Sequence, residues 1–402
     1  MGELVDARTA AERLGVDVRT LYAYVSRGSL RRVPGPDSRS SRYDSDDLEL
    51  LAQRSRPRTL PRPAASIDLV IATRVSTVTD GVVRYRGTNV LDLVAAGSSF
   101  ENVAGLLWQD ATGDWPQAAA AGEAAAGLPG ALGASAPILQ RFTIATAARP
   151  ASFLPVPAVP GPPGDGMSAA QWASYGRGLI ASLAEVGGSP RAASSARGLP
   201  PDVLPGMAGR LWRRWSPLQP TAARVRALNT ALVLLAEHEL ALSTLSVRVA
   251  ASARARPGAC VLAGLSTLSG ALHSGVAPVV HDDLARDERS GAPRSRMAFG
   301  HVVHRHGDPR AAPLLEAVYG FATPADRARV EDRLQAAPGQ PNIDFALGAL
   351  TFAARMPPDA STAIFAIARI AGWIAHAAEE YAEPPLRFRG QAFRPRARPA
   401  RA

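Results

Sequence analysis

Apolar residues recur at helical spacing through residues 222–253, at Leu228, Leu232, Leu235, Leu240, Leu242, Leu245 and Val249, and no other stretch narrows the fold so far. A stripe of that length has to lie on a core, so the chain is expected to be mainly α. The same period runs through residues 257–272, 312–336, 346–356 and 363–381. In the last of these it puts Arg369, Trp373, His376 and Glu380 on one face, at i, i+4, i+7 and i+11. With 402 residues the chain can bury a large core shared between two or three domains. No uninterrupted apolar run approaches the ~20 residues a bilayer span requires, so no membrane partner is expected.

The N-terminal part reads differently. Residues 4–25 predict two short helices: Ala10, Ala11 and Leu14 line the first, and Leu21, Tyr22 and Val25 line the second. Gly15 closes the first and Asp17 caps the second, whose exposed face carries Arg19 and Arg27. This is a helix-turn-helix pattern, and the stretches 28–32 and 41–44 resemble the wing of MerR-type winged helices. Residues 46–51 start another helix, and the Arg- and Pro-rich residues 54–63 read as a linker. The expected organisation is a winged helix-turn-helix over 1–57, a linker over 58–66 and a helical body over 67–402. Within the body, Asp80-Gly81 marks a hairpin between residues 70–75 and 81–87. Residues 91–108 are helical, and residues 109–165 and 187–206 are rich in loops.

The formal charge of +10 suggests a polyanionic partner, but all 45 basic residues are arginine and none is lysine. Arginine enriched together with Ala, Gly and Pro points to a compositional bias rather than to a ligand. The position of the charge still counts: six arginines follow Glu383 without a further acid, and such a tail can reach an anion. The single cysteine, Cys260, excludes an internal disulfide and a cysteine metal site. Residues 1–15 show no apolar signal segment, so a cytoplasmic location is expected.

Chemistry concentrates in residues 299–310, Phe-Gly-His-Val-Val-His-Arg-His-Gly-Asp-Pro-Arg, where three of the seven histidines lie between Gly and Pro residues that preclude one continuous helix. Upstream, His273 stands in Gly-Ala-Leu-His-Ser-Gly. Downstream, Asp344 stands in Pro-Asn-Ile-Asp-Phe, where Asn342 is placed to cap a helix. A histidine within an apolar helix is most often a core residue, and an aspartate in a first helical turn is commonplace. Read singly, His238 and Asp344 fit those roles.

Read together over roughly residues 66–396, these phrases resemble the citrate synthase family. The resemblance implies a multi-helical fold with a large domain and a small domain of approximately residues 274–368. It implies condensation of acetyl-CoA with oxaloacetate, with the acyl-CoA as substrate and neither cofactor nor metal. Asp344 would be the base, His273 the donor to the enolate oxygen and His301 the group that polarises the ketone. His238, Arg310, Arg369 and Arg394 would bind the dicarboxylate. Arginine suits that task because its planar fork pairs carboxylates bidentately. Arg394 would reach a neighbouring subunit's site, which implies a homodimer.

Four departures from the family pattern fall at Ser274, at Met297-Ala298, at His304 and after Arg396, where a terminal Tyr-Val-Gly is missing. A 2-methylcitrate synthase using propionyl-CoA stays open, as does a metabolite-sensing DNA-binding regulator on the same body. A metal held by His301, His304, His306 and Asp308 is the remaining reading; four ligands on one loop seldom close a tetrahedral site.

Overall fold

The N-terminal residues close on a small core of their own. In a computed structural model the described residues are 4–14, 17–26, 30–35, 41–44, 48, 69–111, 113–116, 136–149, 167–186, 206–286, 296–301, 303–304, 307–337 and 339–389. The chain divides into two units, Met1–Ala72 and Thr73–Ala402. In the first, β1 (Leu4–Asp6) leads into α1 (Ala7–Leu14) and α2 (Val18–Ser26), and β2 (Val33–Pro34) and β3 (Ser41–Asp44) follow. The strands form an antiparallel sheet in the order β1-β3-β2. Val5, Ala10, Ala11, Leu21, Leu30, Tyr43 and Leu48 are its buried apolar residues. The strand β1 was not legible in the sequence. Gly15, Arg27 and the stretch 49–68 lie outside the described residues.

The second unit starts with a three-stranded antiparallel sheet, β4 (Ser76–Thr79), β5 (Val82–Tyr85) and β6 (Thr88–Asn89). Asp80 and Gly81 both adopt positive φ, the conformation a two-residue hairpin turn demands. The turn lies where its dipeptide predicts, but the first strand is Ser76–Thr79 rather than residues 70–75.

Helices α3 (Val90–Ala95), α4 (Phe100–Trp108), α5 (Ile138–Ala148), α6 (Ala169–Val186) and α7 (Met207–Trp215) follow. Next come α8 (Ala222–Leu235), α9 (Leu242–Ser252), α10 (Pro257–Leu268), α11 (Ala271–Ser274) and α12 (Val276–Ala285). The body finishes with α13 (Ala311–Tyr319), α14 (Pro324–Gln335), α15 (Ile343–Ala353) and α16 (Ala360–Tyr381). One continuous apolar core joins α3 to α16, and α16 runs through it with both faces covered. By length and hydropathy α16 could cross a membrane, but 94% of its apolar window is buried inside the protein, as in a central core helix.

Four expected helices are each broken in two, and the first, over residues 91–108, parts at residues 96–99 between α3 and α4. The period through residues 222–253 is interrupted at residues 236–241, between α8 and α9. There Tyr85 Oη sits 3.1, 3.2 and 2.9 Å from the carbonyls of Val233, Leu234 and Glu237. A helix can stop where another group takes over its last carbonyls. Glu239 adopts φ +54°, its N–H donates to Ser76 Oγ at 3.1 Å and its carboxylate accepts from Val78 N–H. A Cβ at Gly372 on α16 would overlap Glu237 Oε2 and the Ala236 carbonyl, so helix and turn touch through backbone. Residues 257–272 divide at Gly270, which is extended, and Ser274 Oγ donates to the Leu268 carbonyl at 2.6 Å. Residues 312–336 divide where Thr323 caps α14 and Pro324 occupies its first turn.

Candidate active site

Two of these breaks carry a residue singled out in the sequence, His238 in the first and His273 after the one at Gly270. His238 lies in the 236–241 turn, where its N–H donates to Glu237 Oε1 at 2.8 Å. Glu237 is fully buried. Burial opposes its ionisation, yet His376, Arg369 and its hydrogen bonds hold its carboxyl below the usual range. Behind it, Arg248 donates to His376 Nδ1 at 2.9 Å, and because a guanidinium only donates, the His376 proton is on Nε2, 3.3 Å from Glu237 Oε1. Arg248 also pairs with Glu379 and Glu380, so the turn rests on a buried charged network.

The loop carrying His301 and His304 is pinned to the start of α15. Asn342 Oδ1 accepts the N–H groups of Asp344 and Phe345, which is the predicted N-cap. Its Nδ2 donates to the carbonyls of Met297 and Gly300 at 2.7 and 2.9 Å, and its N–H to Ala298 at 3.0 Å. Met297 and Ala298 thus supply carbonyls to the contacts that shape the loop. His301 Nδ1 accepts N–H groups from Val303 and His304, at 3.1 and 3.3 Å, which leaves Nε2 as its donor.

Three histidines meet here. His238 and His301 rings are 5.3 Å apart, His238 and His304 are 5.1 Å apart, and His301 and His304 are 4.8 Å apart. Burial, then Arg310 and Arg369, keep His238 well below the ordinary histidine range. Burial, then Arg310, bring His301 down to about 4 despite the Asp308 carboxylate. Both are neutral hydrogen-bonding groups near neutral pH.

Arg310 is 2% exposed, and Asp308 grips its Nε and Nη2 at 2.9 and 2.8 Å. The same carboxylate accepts the Ile343 N–H at 3.0 Å. Burial alone would raise the Asp308 pKa, but Arg310 brings it down to about 2. Arg369 is fully buried on α16: its Nε donates to the Leu235 carbonyl at 2.9 Å, and it lies 4.7 Å over the Phe365 ring. Asp344 contrasts with Asp308. Burial pushes its carboxyl up to about 6, with Arg310 and Arg369 opposing and Asp308 assisting. No hydrogen bond engages that carboxylate among the described residues.

His273 lies on the short helix α11. Its Nε2 is 2.8 Å from Ser243 Oγ, its ring meets Phe365 edge-on at 6.0 Å, and burial lowers its pKa. Phe365 therefore touches both His273 and Arg369. Of the residues singled out in the sequence, His238, His301, Arg310, Arg369 and Asp344 belong to one electrostatic neighbourhood, and His273 joins it through Phe365. Arg394 lies outside the described residues. Sequence reasoning missed His304 and Asp308 as members of the cluster, although the density of histidine in residues 299–310 signalled both. No group of three or more His, Cys, Asp or Glu is placed to hold a metal among the described residues. His306 lies outside them.

A mainly helical body here gathers neutral histidines, buried arginines and a carboxylate of raised pKa, groups chemically equipped for acid–base work on an anionic ligand. Comparison with known proteins makes the assignment specific. The family model described as citrate synthase, C-terminal domain, matches residues 68–396, and the chain belongs to the citrate synthase family.

Citrate synthase 2 of Bacillus subtilis (strain 168) is 31% identical over 182 residues, which is 40% of this chain and 49% of that protein. Citrate synthase of Mycolicibacterium smegmatis is 33% identical over 186 residues, 42% of this chain and 50% of that protein. The chain thus spans about half the length of these curated relatives. The crystal structure of citrate synthase from Thermotoga maritima MSB8 shares the fold with a TM-score of 0.60 at 20% identity, covering 82% of this chain and 94% of that one. A structure from Thermoplasma acidophilum, a ternary complex with carboxymethyl coenzyme A and oxaloacetate, matches with a TM-score of 0.56 at 21% identity, over 82% and 95% of the two chains.

Proposed function

We propose that the protein is an acyltransferase that condenses acetyl-CoA with oxaloacetate, releasing citrate and CoA. The observation that carries this reading is Asp344: a carboxylate with a pKa of about 6, with no hydrogen-bond partner among the described residues, placed by the Asn342 cap beside Arg310 and Arg369. A base of ordinary aspartate pKa is too weak for a carbon acid, and a raised one reduces that mismatch. Asp344 takes a methyl proton from the thioester. His273 donates to the enolate oxygen as charge develops, a contribution of several kcal/mol. His301, protonated on Nε2, polarises the ketone, and the enol carbon attacks it; water then hydrolyses the thioester to release CoA. His238, Arg310 and Arg369 bind the two carboxylates. The ligands named in the Thermoplasma acidophilum complex fit this assignment.

The organisation that accompanies this reading is a cytoplasmic homodimer, with large and small domains in the body and the small one near residues 274–368. Arg394 completes the partner's site. The expected result of Arg394→Ala is weaker oxaloacetate binding in an intact dimer, and an unchanged affinity would remove that role. Thiol release from acetyl-CoA that depends on oxaloacetate tests the activity. Running it with propionyl-CoA decides between citrate and 2-methylcitrate synthesis.

A second reading, a metabolite-sensing DNA-binding regulator, is favoured by one observation: the unit Met1–Ala72 has its own core around two helices and a three-stranded sheet. In this reading α2 is the recognition helix of a MerR-type winged helix-turn-helix. Absence of oxaloacetate-dependent CoA release, together with salt-sensitive binding to duplex DNA, would replace the first reading with this one.

A further inference from the structure

His304, in the loop after Gly300, is only 2% exposed, against 8% for His238. Its Nε2 lies 2.9 Å from Nε2 of His238 and 4.0 Å from Asp308 Oδ1. Its Nδ1 is buried with no partner among the described residues. Two neutral rings at that distance share one proton, carried by one Nε2 or the other. If His238 carried it, His304 would be protonated on Nδ1, leaving a buried donor unpaired and a bare Nε2 only 4.0 Å from the Asp308 carboxylate. If His304 carries it, the N–H points to His238 from beside that carboxylate and only an acceptor is left unpaired. Unpaired buried donors are the rarer and costlier defect.

We infer that His304 is a positioning residue: it donates from Nε2 to Nε2 of His238 and so fixes His238 as the Nδ1–H tautomer, whose N–H is the donor presented to a carboxylate or hydroxyl of the ligand. Among the described residues, the charged and titratable groups around His304 are Asp308 and Arg310 beyond it in the loop, His301 before it and His238 across from it. Burial lowers the His304 pKa, Asp308 opposes that and Arg310 reinforces it, so the ring is neutral near neutral pH. His301 is protonated on Nε2 because its Nδ1 accepts backbone N–H groups. The two ligand-facing histidines are therefore held in opposite tautomers, each by a different neighbour. Identifying the ligand as a keto dicarboxylate rests on the proposed function; the tautomer does not.

Nitrogen-15 spectra of the histidine rings in the parent protein test the tautomer directly. His238 is expected to be protonated on Nδ1 and His304 on Nε2, with signals assigned by their loss in His238→Gln and His304→Gln. His238 protonated on Nε2 overturns the inference whatever the protein's activity. His304→Phe removes the donor and retains a ring, and KM for the keto acid is expected to rise about ten- to a hundred-fold with kcat within a few-fold. His304→Gln places an amide N–H near the position of Nε2 and is expected to restore most of that loss. A folded His304→Phe protein with unchanged KM, or a His304→Gln protein no better than His304→Phe, also overturns it. Should the parent protein show no synthase activity, the spectra alone decide the tautomer, so the two failures stay distinguishable.

Discussion

The wall formed by His238, His301, His304, Arg310 and Arg369 differs from the edge formed by His273 and its neighbours in how far each is built before any ligand arrives. In the wall, the Leu235 carbonyl and Asp308 already engage the arginine side chains, and Glu237 and Asn342 hold the backbone of the turn and loop that carry the histidines. At the edge, Leu272 is 84% exposed, Met297 is 52% exposed, and the one partner of the His273 ring nitrogens is Ser243, among the described residues. A small rigid anion rewards a site organised in advance, whereas a long flexible thioester can bring order with it. Asp344 stands where the two regions meet, and its half-buried carboxylate has no hydrogen-bond partner among the described residues.

The largest effect should come from that junction. Asp344→Asn is expected to bind both substrates while turnover falls by roughly 10²- to 10⁴-fold, measured as oxaloacetate-dependent CoA release. His273→Ala should lose about 10²- to 10³-fold. Because both act on one proton transfer, the double mutant should fall far short of the product of the two losses. A multiplicative double mutant would separate the junction from the edge.

Within the wall, Asp308→Ala leaves Arg310 as an uncompensated buried cation. Equilibrium unfolding should register a loss of about 3–5 kcal/mol, together with weakened keto-acid binding. A loss below about 1 kcal/mol would show that the wall is not pre-stressed by this pair.

Asp344 should show the opposite sign. Its folded pKa of about 6 lies above the value of 3.8 for the free side chain, so the folded state binds the proton more tightly. The stability this confers is complete below pH 4 and is lost as pH rises through 6; two pK units amount to about 2–3 kcal/mol. Asp344→Asn should therefore be more heat-stable than the parent at pH 7 and nearly equal to it at pH 4. Thermal melts at the two pH values check this. The smallest effect belongs to the edge: Leu272→Ala should change stability by no more than about 0.5 kcal/mol, and kinetics would show only an altered KM for the thioester.

Helical period, turn dipeptides and caps were legible: the Asp80-Gly81 hairpin and the Asn342 cap lie where the residues demand them. Length of helix was not, because what ends α8 is Tyr85, about 150 positions away in sequence. The same limit hid the pairing of His304 with His238, a contact between residues 66 apart. Asp308 was read as one ligand of a possible metal, while its carboxylate supports both Arg310 and the first turn of α15. Local rules locate such residues, and only the fold supplies their partners.

The turn that presents His238 carries a kinetic corollary. Tyr85, Ser76 and Val78 shape it across 148 to 163 positions of chain, so the turn cannot form from local contacts alone. During synthesis the β4–β5 hairpin leaves the ribosome long before residue 238, and it must wait for α8 to arrive and dock. Contacts of such separation form late and slow the approach to the native state. Amide hydrogens of the turn, above all those of Glu237, His238 and Glu239, should then gain protection in refolding only after those in the interior of α8. Pulse-labelled exchange would time that order, and competence to bind the keto acid should appear with the turn rather than with the helices.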